Sequence, residues 1–151
     1  MKKFLVLSGL ALVVIVTVAA CIFAYSKYEE SQYTDSAVPY VKMVVPEISK
    51  WDVETIKRHM NAESLEATSE ERISGVLQYL SRLGALKEAA EPRFSKVFTG
   101  PYVEGVRKTF VAYKIDAIYE NGDAVITLNL LDNGGSYQVY KFDIKSAALT
   151  E

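Results

Sequence analysis

The sequence predicts an α+β protein with an N-terminal transmembrane helix, followed by two to three helices packed on a curved four-stranded antiparallel sheet. Three observations predict this fold class: an uninterrupted apolar run near the N-terminus, a capped amphipathic helix in mid-chain, and alternating apolar and polar residues between hairpin signals near the C-terminus. We divide the chain into a signal anchor or transmembrane helix at 1–25, a stalk at 26–36 and an extracytoplasmic domain at 37–151.

Residues 4–25 form the apolar run, whose 22 residues include no Asp, Glu, Lys, Arg, His, Asn or Gln. A helix of that length reaches about 33 Å, which is enough to cross a hydrocarbon core of about 30 Å. Lys2 and Lys3 precede the run, whereas Lys27 follows it among acidic residues. The positive-inside rule therefore predicts a single-pass protein with its N-terminus in the cytoplasm and its domain outside.

Two alternatives to an uncleaved anchor remain open. A cleaved secretory signal would end at a small-residue site, but the apolar run continues past Ala19 and Ala20. Residues 18–21 resemble a bacterial lipobox, in which cleavage would leave a lipidated Cys21, although Ile22 and Phe23 stand where a polar tether is expected. In an anchor, Cys21 is one more small apolar side chain in the bilayer.

The composition excludes several classes of site. One Cys and one His form neither an intrachain disulfide nor a Cys/His zinc site, and we expect no metal and no cofactor. The 17 basic and 19 acidic residues leave no electrostatic footprint for nucleic acid. Removing Lys2 and Lys3 leaves 15 cations against 19 anions, so we do not expect the domain to adhere to anionic lipid through a basic patch.

From Ser36 onward, apolar residues recur every three or four positions, as on one face of a helix. They are Ala37, Val38, Val41, Val44, Val45 and Ile48. Pro39 suits the first turn of this helix, whereas Pro46 predicts a kink or break near Val45. Asp52 is a good N-cap for a short helix to Met60.

The clearest local signature is the capping box at 68–71, which predicts a helix from Ser69 to Leu83 ended by Gly84. Its inward stripe is expected to hold Ile73, Val76, Leu77, Leu80 and Leu83.

The C-terminal half predicts strands. Residues 93–98 form the first, and the next three are joined at Asn121-Gly122 and at residues 133–135. A two-residue turn at Asn121-Gly122 predicts that Tyr119 lies opposite Ala124. A three-residue loop at 133–135 predicts Phe142 opposite Ile126. The inward face is then expected to hold Tyr113, Ile115, Ala117, Tyr119, Ala124, Ile126, Leu128, Leu130, Gln138, Tyr140, Phe142 and Ile144.

This order of helices and strands resembles the cystatin-like cone of the nuclear-transport-factor-2-like (SnoaL-like) superfamily, and most of all its bacterial exported domains of unknown function. The resemblance rests on residues 48–52, 80–86 and 137–146, and it covers about 37–149. Relatives often carry Trp near the place of Tyr137. The resemblance implies a bacterial inner-membrane protein with a periplasmic domain. It implies no particular activity, because members of the superfamily share no chemistry.

Enzymes of this superfamily use carboxylates or histidines inside the cone, and the predicted inward face holds neither. Asp116 and Asp143 fall on the opposite face, and His59 lies near the end of a short helix, where a surface role is favoured. We therefore predict no catalytic residue.

The polar groups left for a ligand in the cone are Tyr79, Tyr113, Gln138 and Tyr140, although such tyrosines commonly pack in a core instead. The sequence thus predicts a membrane-anchored noncatalytic binding or assembly module. Its partners are the bilayer, through residues 4–25, and a protein or second copy through the sheet. The alternatives are a subunit of an envelope secretion machine, resembling the type IV assembly factor, and a small SnoaL-like isomerase or cyclase.

Overall fold

A computed structural model describes residues 1–103 and 105–150 of the chain. The chain divides into two compact units, Met1–Gln32 and Tyr33–Glu151. Helix α1, Lys2–Ile48, begins in the first unit and ends in the second, so the predicted stalk is helical.

The first unit is a single stretch of apolar helix. Its most apolar window has a mean hydropathy of 2.8, and none of that window is buried. Length and composition therefore make this helix a candidate membrane span or signal anchor.

The part of α1 in the second unit buries the predicted apolar face, with Ala37, Val41, Val44, Val45 and Ile48 all in the core. The helix passes through Pro39 and Pro46 and ends at Ile48, so the predicted start near Ser36 and break near Val45 are wrong. Each proline removes one backbone hydrogen bond, but burial of the apolar face on either side of Pro46 holds the last turn in place.

Three short helices follow: α2 (Val53–His59), α3 (Ala62–Glu66) and α4 (Glu70–Leu80). The predicted N-cap Asp52 is confirmed, because it accepts from the amide of Thr55 at 3.0 Å. At the capping box the N-cap is Ser69, which accepts from the amide of Arg72 at 3.3 Å, so α4 begins one residue later than predicted. A 3₁₀ turn, Ser81–Leu83, extends α4 to the predicted end at Gly84. The sequence did not predict α3, which is too short to show a helical period.

The α+β class is confirmed, but the antiparallel sheet has five strands instead of four. They are β1 (Leu86–Ala89), β2 (Arg93–Val103), β3 (Val106–Tyr119), β4 (Gly122–Asp132) and β5 (Tyr137–Lys145). Their order is β1-β3-β4-β5, and β2 also pairs with β3. Strand β1 escaped prediction because it is short and three of its four side chains are exposed, which leaves no alternation.

The β3–β4 register is displaced by two residues from the prediction, since Tyr119 pairs with Gly122 and Ala117 with Ala124. The tight turn is therefore Glu120-Asn121 and not Asn121-Gly122. Contacts with the end of α4 hold it there: the Glu120 carboxylate accepts from the amide of Ala85 at 3.0 Å, and the Asn121 amide donates to the carbonyl of Arg82 at 2.9 Å. An even displacement keeps every side chain on its face, so the predicted facing of β3 and β4 is confirmed.

The β4–β5 register also differs, because Phe142 pairs with Leu128 and not with Ile126. Asp132 pairs with Tyr137, and its carboxylate accepts from the amide of Gly134 at 2.9 Å, so the connecting loop has four residues. A β-bulge at Tyr140 then reverses the facing of the start of β5. Tyr137 and Val139 are buried there, whereas Gln138 is exposed.

Trp51 ties the end of α1 to the end of α4 and to the sheet. It has a left-handed backbone, with φ at 56°. Its indole N–H donates to the carbonyl of Gly84 at 2.9 Å, and its ring lies 5.6 Å from that of Tyr119. The Tyr119 hydroxyl in turn shares a 2.8 Å hydrogen bond with Ser49.

Candidate functional site

An apolar groove opens between the helices and strand β5. We call it the helical groove, and its volume is about 390 Å³, within the usual range for small-molecule sites. It is lined by Ile56, Met60, Glu63, Ser64, Ala67, Thr68, Arg72, Ile73, Val76, Leu77, Tyr140, Lys141 and Phe142.

Residues of the predicted inward stripe of α4 line the groove. Ile73 and Leu77 are buried there beside Ile56 of α2, but Val76 is 47% exposed, so its predicted inward position is wrong. Val76 precedes the buried Leu77 by one residue and so lies about 100° away from it around the helix, where it lines the groove. With Met60 and Phe142 half-buried beside it, the groove presents an accessible apolar surface.

Polar groups of α3 and β5 border this surface. The Ser64 hydroxyl contacts Asn61 and lies 2.8 Å from the carbonyl of Tyr140, which fixes α3 against the bulge. One carboxylate oxygen of Glu63 is buried without a hydrogen-bond partner in the described part of the chain. Arg72 adds positive charge at the rim. The groove therefore suits an apolar molecule that carries a polar head.

Strand β5 is held at this place by the connection between α2 and α3. Met60 forms a parallel bridge with Val139, and the amide of Asn61 donates to the carbonyl of Val139 at 3.1 Å. Tyr40 of α1 packs nearby, where burial raises its pKa to about 12 and a hydrogen bond with the Val139 backbone partly offsets the rise.

The structure does not bring the four predicted ligand-binding residues together. Tyr113 alone lies in the core, 1% exposed, with its ring edge-on to Phe94. Tyr79 is 46% exposed and donates to the carbonyl of Leu149 at 2.8 Å. These two side chains therefore lie in different surroundings, Tyr113 in the core and Tyr79 at the surface.

The other two predicted residues are displaced by the bulge in β5. Gln138 is exposed and its side-chain oxygen accepts from Asn133 at 3.2 Å. Tyr140 packs on the outer face of the sheet, with its ring 4.6 Å from that of Phe110. Nothing in the sequence marks this bulge, at which the Tyr140 carbonyl accepts a hydrogen bond from Ser64 of α3.

The titratable groups considered for catalysis lie outside the core. Asp116 is on the outer face and accepts two hydrogen bonds from Arg93, at 2.9 and 3.0 Å. Asp143 is exposed on the same face, and His59 is the last residue of α2. The groups that sequence reasoning missed are Glu63, Ser64 and Arg72, since α3 and the exposed side of α4 showed no pattern that distinguishes a site from a solvated surface.

Neither protein-family models, nor curated proteins, nor solved structures match this chain. The resemblance to the nuclear-transport-factor-2-like superfamily therefore stays a prediction, and the function has to be argued from the groove and the apolar helix.

Proposed function

We propose that the chain is a membrane-anchored, noncatalytic binding module whose ligand occupies the helical groove. The main support for this proposal is that the apolar lining of the groove is accessible to solvent. Small-molecule sites are usually apolar concavities of this size. The polar rim would orient the ligand. The predicted inward face of the strands supplies no acid or base, and among the described residues that line the groove Glu63 is a lone carboxylate with no histidine beside it, which favours binding over catalysis.

The candidate span supports the membrane part of the proposal. Lys2 and Lys3 before the span favour a cytoplasmic N-terminus and an extracytoplasmic domain. The helix and strand order favours the nuclear-transport-factor-2-like cone and, with it, the inner membrane of a bacterium.

A fluorophore placed in the groove tests the proposal. Val76→Cys is labelled with bimane in the full chain carrying Cys21→Ala, and the protein in nanodiscs is titrated with indole, a small apolar probe. Indole should displace the dye from the groove and shift its emission with a saturable, roughly millimolar Kd.

Met43→Cys, labelled in the same way, is the matched control because Met43 is also an apolar side chain that is 47% exposed, but it does not line the groove. A saturable shift at Val76 without one at Met43 supports the groove. No saturable shift, or equal shifts at both positions, contradicts it.

A further inference from the structure

The strand register gathers lysines on the outer face of the sheet, which is the face away from the helical core. We call Lys96, Lys108, Lys114 and Lys141 the lysine patch. Lys96 pairs with Ala112, Ala112 with Asn129, and Asn129 with Lys141, so these residues form one row across four strands. Lys114 and Lys108 lie on β3 on either side of that row.

The patch is compact. Lys96 and Lys141 are three strand spacings apart, about 14 Å, and Lys108 and Lys114 are separated by about 20 Å along β3. Ala112 lies between them on β3. It is small and only 2% exposed, so the four lysines surround a position where the side chain does not project from the sheet.

The positive charge of the patch exceeds the negative charge close to it. No ion pair among the described residues includes a lysine of the patch. Asp116 and Asp143 lie on the same face, each about 7 Å along its strand from a patch lysine, but they pair with other cations, Arg93 at 2.9 Å and Lys145 at 4.0 Å. The four lysines therefore leave the patch positive although the domain is acidic overall.

Aromatic rings adjoin the lysines. Phe98 stacks on Phe110 at 5.4 Å, the Lys96 ammonium lies 5.3 Å from the centre of the Phe98 ring, and Phe98 and Tyr140 keep part of their surface exposed. Lysines beside partly exposed aromatic rings on an open sheet suit a flat, negatively charged interface with apolar material beneath it.

We propose that the lysine patch binds the head groups of anionic phospholipids. The same chain carries a candidate membrane span, which would keep a bilayer at high effective concentration. This reverses the expectation drawn from net charge, which does not reveal that the strand register collects lysines on one face.

The test uses the full chain in phosphatidylcholine nanodiscs, mixed with vesicles of phosphatidylcholine that contain or lack phosphatidylglycerol. The protein should float only with the phosphatidylglycerol vesicles, and high salt should release it. Replacing Lys96, Lys114 and Lys141 by Gln should weaken binding about 100-fold, at about fivefold for each lysine. Replacing the same three by Arg should preserve it.

The matched control replaces Lys42, Lys50 and Lys87 by Gln, which changes the net charge equally outside the patch. Circular dichroism confirms that each variant is folded. Equal losses in the patch and control variants would overturn the proposal, as would equal binding to both kinds of vesicle or no binding to either. Binding of soluble polyglutamate without binding to vesicles would also overturn it, in favour of an acidic protein partner.

Discussion

Trp51 offers the sharpest test of how the domain is held together. A left-handed backbone is unfavourable for any residue with a Cβ, by about 1 to 2 kcal/mol. Trp51 adopts it, with φ at 56°, while its side chain contacts Gly84 and Tyr119. Replacing Trp51 by Ala removes the side chain but keeps the strain, whereas replacement by Gly removes both.

The expected magnitudes follow from these contacts. The indole hydrogen bond is worth about 1 kcal/mol, and the contact with Tyr119 adds about 0.5 to 1.5 kcal/mol beyond its area. Since Trp51 is only partly buried, Trp51→Ala should destabilise by about 3 kcal/mol, the low end for a large aromatic side chain. Trp51→Gly should cost about 1 kcal/mol less than Trp51→Ala.

The assay is urea unfolding of the full chain in detergent micelles. It is followed by circular dichroism and not by tryptophan fluorescence, because Trp51 is the only tryptophan and the variants lack it. Trp51→Phe, which keeps a ring without the N–H donor, should fall between wild type and Trp51→Ala. A Gly variant no more stable than the Ala variant would refute the strain argument. An Ala variant within about 0.5 kcal/mol of wild type would refute the claim that the contacts of the Trp51 side chain stabilise the domain.

Four further predictions address the fold, pH dependence and membrane topology. Gly84→Ala should destabilise by about 2 kcal/mol in the same assay, because φ is 80° and the new Cβ would lie 2.9 Å from that of Glu120. Neutral Tyr40 contributes stability that is complete below pH 10 and is lost as pH rises through about 12. Because the ring is only half-buried and its charge is partly screened, Tyr40→Phe should reduce the alkaline loss by about 1 kcal/mol in urea titrations across that range. Alkaline phosphatase fused to the C-terminus should be active in the periplasm, and an inactive fusion beside an active cytoplasmic reporter would contradict the orientation. Cys21→Ala should leave size and membrane retention unchanged, whereas fatty-acid labelling that this variant abolishes would establish the lipoprotein alternative.

Local signals predicted the parts of the fold that depend on neighbouring residues. Asp52 caps its helix as expected, since it needs only the amide three residues ahead, and the capping box at 68–71 marks the start of α4 to within one residue. The facing of β3 and β4 also followed from alternation alone. The exact register did not, because contacts between Glu120 and the end of α4 place the turn.

The candidate site was harder to predict, because its geometry also depends on contacts between segments that are distant in the sequence. Val76 of α4 lines a groove together with residues of β5, and at the bulge that moves Tyr140 to the outer face the Tyr140 carbonyl accepts from Ser64 of α3. Both arise from contacts between distant segments, which neither periodicity nor composition encodes.

Crystals of the full chain soaked with indole test the binding groove most directly. Indole should occupy the space over Val76 and Phe142, with α4 and β5 in the positions described. A groove closed by Val76 against Phe142, or indole bound elsewhere and absent from the groove, would contradict the proposed binding site.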